Sequence, residues 1–300
     1  RNCNCASGAT AIPRGKDSTV MSKQNTPPQI PMHVAGEPLP IDWRPELIAL
    51  DIDDTLVQHV GSLLEITVDA IERIRKSGIK VTLATGRSVS TTFPIAHAAG
   101  IEDLVVCSNG GVLAMVETAK VMEAVTFDAT AALEQLSELV PDAVFAVENF
   151  HGDFLTTHLF DTGALGINIR QVELADLTAD PVVRLVVRSE TSTTRSFGEV
   201  AKSLGFHSVV FGIADVAWMD IAPKGVNKAN MLKEVCARRQ VDPAKTIAIG
   251  DSWNDIEMLE WAGLGVAMGS ATPKVAAYAD LMTAPEPGIG VAQILNSIEV

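Results

Sequence analysis

Short apolar runs that stop on an acid or a glycine recur along this chain. Leu47-Ile48-Ala49-Leu50 runs into Asp51, and Thr246-Ile247-Ala248-Ile249 runs into Gly250-Asp251. A run this short, without polar alternation, is the pattern of a parallel strand buried on both faces. Ile79–Ala84, Leu104–Cys107 and Leu264–Met268 read as further strands. Between them the period changes. Thr67–Lys76 repeats its apolar residues at helical spacing, with Thr67 placed to cap it and Gly78 to end it. Asn227–Arg238, Ile256–Ala262 and Ala271–Tyr278 also read as helices. Strands alternating with helices predict an α/β fold, a parallel sheet flanked by helices on both faces.

The middle of the chain has another texture. Leu113–Val116, Val121–Thr126, Ala143–Val147, Val182–Val187, Ser208–Ile213 and Val216–Ile221 are short strand candidates, interrupted by two helices, Ala129–Val140 and Thr193–Leu204. This predicts a compact α/β module inserted into the first domain. Residues 1–43 are rich in Pro, Ser, Thr, Asn and Gln and show no apolar period, the composition of a flexible leader. The expected division is a leader over 1–43, a core built from 44–111 and 222–300, and the inserted module over 112–221.

Composition narrows the partners. With 47% hydrophobic and 20% charged residues the chain has enough apolar surface for an ordinary interior. Its net charge of −14 disfavours nucleic acid and anionic membranes. A phosphorylated ligand is also an anion, so it would need cations placed locally, with a metal ion and a lysine as suppliers. Cys3 and Cys5 fall in the leader, while Cys107 and Cys236 fall in apolar surroundings and read as buried free thiols, which fits a reducing cytoplasm. No apolar run is long enough to span a bilayer, and no apolar stretch follows Arg1 and Arg14 as a secretory signal requires.

Four segments carry candidate chemistry. Asp51-Ile52-Asp53-Asp54-Thr55 places two carboxylates two residues apart just beyond a buried strand, where ligands bind in open α/β sheets. The alternative is a turn capped by Asp and Thr. Thr85-Gly86-Arg87 follows the second strand, as either a small anion cradle or an ordinary helix start. Lys228 opens a helix whose dipole it opposes, a placement explained by a shared anion. It could equally be a solvated surface lysine, and Lys224 is a rival. Gly250-Asp251-Ser252-Trp253-Asn254-Asp255 again sets carboxylates beyond a strand, with helix capping as the simpler reading. Oxygen donors without His or Cys suit Mg²⁺ better than Zn²⁺.

Taken together and in this order, the four segments resemble the haloacid dehalogenase superfamily. Asp51, Asp53 and Thr55 match its Asp-x-Asp-x-Thr pattern. Thr85 matches the hydroxyl after the second strand, Lys228 the lysine, and Gly250, Asp251, Asn254 and Asp255 the final acidic motif. Thr85-Gly86-Arg87, Ser108-Asn109-Gly110-Gly111, Gly225-Val226-Asn227-Lys228 and Gly265-Val266-Ala267-Met268-Gly269 are similar to the Cof-type branch with a type IIB cap. The resemblance covers roughly Leu47 to Val291. It implies a Rossmannoid core with an inserted α/β cap domain. Two departures stand out. Asp54 sits where Cof-type members often carry glycine, and the stretch Met282–Gly288 lacks the asparagine of a Thr-x-x-Asn pattern.

The resemblance further implies a Mg²⁺-dependent phosphatase acting on small phosphorylated metabolites such as sugar or cofactor phosphates. Asp51 would be the nucleophile and Asp53 the acid and base. Mg²⁺ would be held by Asp51, Asp251 and the carbonyl of Asp53. Thr85, Lys228, Asn254 and the N–H groups of Ile52 and Gly86 would hold the phosphoryl oxygens, with Asp255 orienting ligands from behind. Arg87 and Asn109 are candidates for substrate contact. In the inserted module His151 reads as a surface loop residue rather than one facing the site, while Arg184 and Arg188 could equally face the site or lie on a solvated strand face. The alternatives are a phosphomannomutase-like phosphotransferase and a non-catalytic sensor of phosphorylated metabolites.

Overall fold

Each residue of Leu47–Leu50 is buried, and the alternation of its side chains supplies both halves of the core. Ile48 and Leu50 point into one hydrophobic cluster, Leu47 and Ala49 into a second. That is what period two demands of a strand covered on both sides. The computed structural model describes residues 30–58, 61–159, 169–204, 207–213 and 216–300.

The strands in chain order are β1 (Leu47–Leu50), β2 (Lys80–Leu83), β3 (Leu104–Cys107), β4 (Val112–Met115), β5 (Lys120–Ala124), β6 (Val144–Glu148), β7 (Phe154–Thr156), β8 (Ile169–Gln171), β9 (Arg184–Ser189), β10 (His207–Ile213), β11 (Val216–Ala222), β12 (Thr246–Gly250), β13 (Leu264–Ala267) and β14 (Leu281–Met282). The helices are α1 (Glu65–Lys76), α2 (Val89–Ala98), α3 (Thr130–Leu139), α4 (Thr194–Leu204), α5 (Lys228–Arg239), α6 (Ile256–Trp261), α7 (Pro273–Ala276) and α8 (Ile289–Asn296).

A parallel sheet in the order β14-β13-β12-β1-β2 forms the core. Helices α1, α2 and α8 cover one face and α5, α6 and α7 the other. β1 is central, so its carboxyl end opens beside that of β12. A parallel bridge from Ala84 to Val106 carries the sheet on to β3. β3 pairs antiparallel with β4, and β4 with β5. Val112, Ala114 and Val116 sit in the same cluster as β1. The strand candidates over 113–126 therefore pair with the core side of the molecule, although their sequence pattern groups them with the strands that follow.

A second sheet, of six strands, takes the order β10-β11-β9-β6-β7-β8. Its pairs are antiparallel apart from β7 and β8. Phe145, Val147, Leu185, Val187, Met219 and Ile221 pack against α3 and against Phe197 of α4 on one face.

Some local readings differ from the structure. Thr67 is buried in the third position of α1, and Leu64 holds the cap position. Helix α2 has a Ser/Thr/Pro composition that hides its apolar face. Val89, Thr92 and Ala96 are buried and Phe93 and Ile95 pack against the first cluster, while Thr91 and Thr92 return their hydroxyls to the carbonyl of Ser88. Residues 1–29 of the expected leader, with Cys3 and Cys5, lie outside the described residues. Residues 30–43 run against the core: Met32 bridges Met282, His33 donates its N–H to the Met282 carbonyl, and Leu39 is buried in the first cluster. Cys107 and Cys236 are free and buried.

The turn from β3 to β4 is constrained. Ser108, Asn109 and Gly110 have φ of 52°, 54° and 92° in succession. A Cβ on Gly110 would stand 2.2 Å from the carbonyl oxygen of Asn227, the residue before Lys228. Gly110→Ala therefore combines a left-handed backbone with a backbone clash. It is expected to lower stability by about 1–3 kcal/mol, read as a fall in the midpoint of chemical denaturation. An unchanged midpoint would show that the turn can relax away from α5.

Candidate active site

The carboxyl ends of β1 and β12 bring three carboxylates together. Among the described residues, oxygens of Asp51, Asp251 and Asp255 lie within 4.8 Å of one another. Lys228, at the first position of α5, enters between them from the opposite side. Its Nζ donates to Asp51 Oδ1 and to Asp255 Oδ1, each at 2.6 Å. The lysine has no exposed surface, and Asp51 is 4% exposed. Lys224, by contrast, is exposed. Asn227 caps α5 by accepting the N–H of Asn230. The helix start is thus held by a neutral residue, and the lysine is left to the carboxylates.

Each acid has a different task in this packing. Asp255 accepts the backbone N–H groups of Asp251 and Ser252 on Oδ2, at 3.0 and 2.9 Å, while its Oδ1 takes Lys228. Both of its oxygens are committed, so it shapes the 251–255 turn and holds the lysine. Gly250 permits this, because a Cβ there would stand 2.5 Å from Asp255 Cγ. Asp251 Oδ1 accepts the hydroxyl of Thr55 at 3.0 Å. Thr55 in turn accepts the N–H of Gly288 on its carbonyl, so the 283–288 stretch is fastened to the first motif by backbone alone. Asp54 has φ of 56°. This is a left-handed turn position, and aspartate is among the side chains that tolerate it.

Electrostatics follow from crowding. Burial lowers the affinity of Lys228 for its proton, but Asp255 and Asp51 more than offset this and hold the ammonium above its usual range. Burial pushes Asp51 well above the ordinary carboxylate range; Lys228 opposes it, and the charges of Asp255 and Asp251 add to it. The lysine's direction governs the pair, because an ammonium with two carboxylates at 2.6 Å keeps its proton. Asp251 is pushed up to about 7, by burial first and by Asp255 next, with Thr55 and Lys228 pulling against them. With all three carboxylates ionised against one ammonium the buried site would carry two negative charges, a surplus that Asp51 and Asp251 relieve by their raised affinity for protons. Hard oxygen donors with an excess charge of two suit a hydrated divalent cation such as Mg²⁺, and the residues present fit one.

The remaining candidates surround this cluster. Asp53 accepts Arg87 Nε on Oδ2 at 2.9 Å and Arg87 Nη2 on Oδ1 at 2.6 Å, a forked pair that the sequence did not indicate. Thr85 is fully buried, and its Oγ1 accepts the N–H of Arg87 at 3.1 Å, which leaves the hydroxyl hydrogen to point elsewhere. Ile52 is buried at the start of the first turn, where its carbonyl accepts three N–H groups from Thr55, Leu56 and Val57. A Cβ on Gly86 would stand 3.1 Å from Asn109 Oδ1, and that oxygen accepts Asn254 Nδ2 at 2.8 Å. Asn109 and Asn254 thus touch each other across the 85–87 turn. In the six-stranded sheet, His151 is exposed and Arg184 is 4% exposed. Arg184 does not lie on a solvated face; it is buried between two carboxylates. A surface cavity of about 410 Å³ lined by Arg75, Lys80, Glu102 and Arg239 lies at the amino ends of β2 and β3, away from all of these groups. Among the described residues no helix is long and apolar enough to cross a membrane.

The chain and its fold have known counterparts. A model of the haloacid dehalogenase-like hydrolase family matches residues 48–295. A phosphoglycolate phosphatase of Archaeoglobus fulgidus is 30% identical over 259 residues, covering 85% of this chain and 97% of its own. The pyridoxal phosphate phosphatase YbhA of Escherichia coli is 26% identical over 271 residues, covering 84% and 97%. Among solved structures, a haloacid dehalogenase-like hydrolase from Bacteroides thetaiotaomicron superposes with a TM-score of 0.70 at 23% identity over 85% of this chain and 100% of its own. A sugar phosphatase of HAD subclass IIB gives 0.71 at 22% identity over 84% and 98%.

The charge balance predicts a linked dependence on metal and pH. Asp251 is raised when folded, so its contribution to stability is complete below its unfolded value of about 3.8 and is lost as pH rises through about 7. Metal-free protein should lose thermal stability over that window, and Mg²⁺, which needs the ionised carboxylate, should restore it. In thermal denaturation the rise in Tm on adding Mg²⁺ is expected to be small near about pH 5.5 and to grow toward about pH 8. A Mg²⁺ effect that is absent, or larger in acid, would overturn the assignment of this cluster.

Proposed function

Because this chain belongs to the haloacid dehalogenase-like hydrolases, as a phosphatase of their Cof-type branch, we propose that it hydrolyses small phosphorylated metabolites, such as sugar or cofactor phosphates, through a phosphoryl-aspartate on Asp51. The observation that carries this reading is the buried Lys228, held between Asp51 and Asp255 at the mouth of β1. An ammonium there fixes the rotamer of Asp51 and presents positive charge to any anion that approaches its carboxylate.

Mg²⁺ would be held by Asp51, Asp251 and the carbonyl of Asp53, and when bound it offsets the negative charge of the carboxylates and of the phosphoryl oxygens. The chain's own groups do the rest. Asp51 forms the new bond to phosphorus as the bond to the leaving oxygen breaks. Lys228, the Thr85 hydroxyl, Asn254 and the N–H groups of Ile52 and Gly86 hold the equatorial oxygens as charge moves onto them. Asp53 donates a proton to the departing alcohol. In the second step it takes a proton from the water that attacks the phosphoryl-aspartate, so Asp51 is regenerated and phosphate leaves. The forked pair with Arg87 is the arrangement of the base form of Asp53, the form the second step needs. For the first step Asp53 exchanges a hydrogen bond from Arg87 for a proton. The six-stranded sheet with α3 and α4, taken as the cap over this site, would exclude water and read the leaving group.

Phosphate release from a panel of phosphorylated metabolites tests this reading. Wild-type protein is expected to turn over part of the panel only with Mg²⁺. Asp51→Asn should lose at least about a thousandfold in kcat with the fold retained, and Asp53→Asn should slow turnover most for esters with poor leaving groups. Undiminished Asp51→Asn activity would sink the mechanism. Silence of the wild type across the panel, with turnover appearing when a bisphosphate activator and a second sugar phosphate are supplied, would instead assign a phosphotransferase.

A further inference from the structure

Three charged side chains outside the catalytic cluster are almost fully buried in the six-stranded sheet: Glu148 at 0%, Arg184 at 4% and Asp220 at 7% exposure. They come from adjacent strands. Glu148 of β6 lies directly opposite Arg184 of β9, and Asp220 of β11 pairs opposite Val186, a diagonal step from Arg184. Arg184 Nε donates to Glu148 Oε2 at 2.7 Å, and Nη1 donates to Asp220 Oδ2 at 2.7 Å. Its guanidinium carbon lies 5.4 Å from the centre of the Phe154 ring. Ion pairs taken this far from water contribute little net stability over an apolar replacement, so their presence asks for another role.

The contacts that leave the sheet supply one. Arg184 Nη1 also donates to the carbonyl of Gly86 at 2.8 Å. Glu148 accepts the hydroxyl of Ser108 on both oxygens at 2.8 Å, and Asp220 Oδ2 lies 3.5 Å from Asn109 Nδ2. Each member of the triad is therefore held within its own sheet and also reaches one of the turns 85–87 and 108–110 beside the carboxylate cluster. Burial raises Glu148, and Arg184 and Ser108 act against it, so the three groups are mutually dependent.

We propose that Arg184 is a positioning residue for catalysis, holding the phosphate-facing turn Thr85–Arg87 in its working conformation from across the sheet boundary. The peptide unit joining Gly86 to Arg87 is fastened at both ends. Its carbonyl is held by Arg184, and its N–H is held by Thr85 Oγ1 at 3.1 Å. With the carbonyl released, the peptide can rotate about its flanking bonds. Such a rotation disturbs the Thr85 hydroxyl, the Gly86 N–H and the start of the Arg87 side chain that pairs with Asp53 at once. Through Asp220 and Glu148 the same guanidinium also sets Asn109, which holds Asn254. A lysine at this position keeps the charge but has no planar fork, so it cannot reach two carboxylates and a carbonyl in this geometry. The effect on turnover rests on the phosphatase reading above; the effect on the turn does not.

The test compares Arg184→Lys with wild type, and adds Glu148→Gln/Arg184→Gln, which removes one charge of each sign, in case the lysine variant does not fold. Three quantities are read: steady-state kinetics on a substrate from the phosphate-release panel, inhibition by orthovanadate, and amide deuterium exchange over residues 84–88 and 108–111. The expected result is a kcat at least about tenfold lower with KM changed by less than about twofold, a proportional loss of vanadate inhibition, and faster exchange in both turns. A lowered Tm with kcat, vanadate inhibition and exchange at wild-type values makes Arg184 merely structural and overturns the proposal, as does failure of both variants to fold. If wild-type protein releases no phosphate, the phosphatase reading fails. The exchange data then decide the positioning role alone: loss of protection at 84–88 supports it, and wild-type protection overturns it.

Discussion

A lysine with no exposed surface is the constraint around which this site is organised. An ammonium taken wholly out of water must be neutralised where it stands. Lys228 meets that demand with two carboxylates at 2.6 Å. The consequences spread outward. Asp255 must be held in place, so it is locked by two backbone N–H groups and backed by a glycine that leaves room for it. The start of α5 must be fixed relative to β1, so the β3–β4 turn packs its own glycine against the Asn227 carbonyl. Asp51 is then held by a neighbour of opposite sign, the arrangement that the proposed nucleophile needs to meet an anion.

Fixed cations around the site are engaged with carboxylates rather than waiting for a ligand. Lys228 faces Asp51 and Asp255, Arg87 faces Asp53, and Arg184 faces Glu148 and Asp220. In a chain of net charge −14 this prevents the site from becoming a general anion trap. It also divides the labour. The paired side chains hold geometry, while the carboxylates of Asp51, Asp251 and Asp255 together form an oxygen cluster that suits a divalent cation.

Much of this was legible in the sequence, for a physical reason. Buried parallel strands are nearly continuous apolar runs, and chemistry beyond their carboxyl ends stands out as acid after apolar. Asp51, Asp53, Asp251 and Asp255 were therefore visible, as was Lys228 by its unfavourable place at a helix start. Pairings between distant segments were not. Arg87 and Asp53 are 34 residues apart, and no local period encodes their meeting. The pattern leaves Arg184 open between the site and a solvated strand face because period two says which residues share a face and not what covers that face. The available signal was a lone charge on each of three apolar strands, Glu148, Arg184 and Asp220, which is costly unless the charges meet. Helix α2 escaped because Ser, Thr and Pro interrupt its buried face of Val89, Thr92 and Ala96, so its helical period is faint. β4 and β5 were grouped with the strands that follow because composition does not say which partner a strand takes.

The two sheets meet where backbone strain is concentrated. Ser108, Asn109 and Gly110 adopt three successive left-handed conformations between the catalytic cluster and the buried triad of the second sheet. Non-glycine residues hold such angles only when their surroundings over-determine them. Here the surroundings are the Ser108 hydroxyl on Glu148, the Asn109 carboxamide between Asn254 and Asp220, and the Gly110 backbone against Asn227. Each contact comes from a different part of the chain. The turn can keep this shape only when core, helix α5 and second sheet are all in register. The same joint therefore ties the turns 85–87 and 108–110 to the second sheet, because Arg184, Glu148 and Asp220 hold Gly86, Ser108 and Asn109 from three adjacent strands.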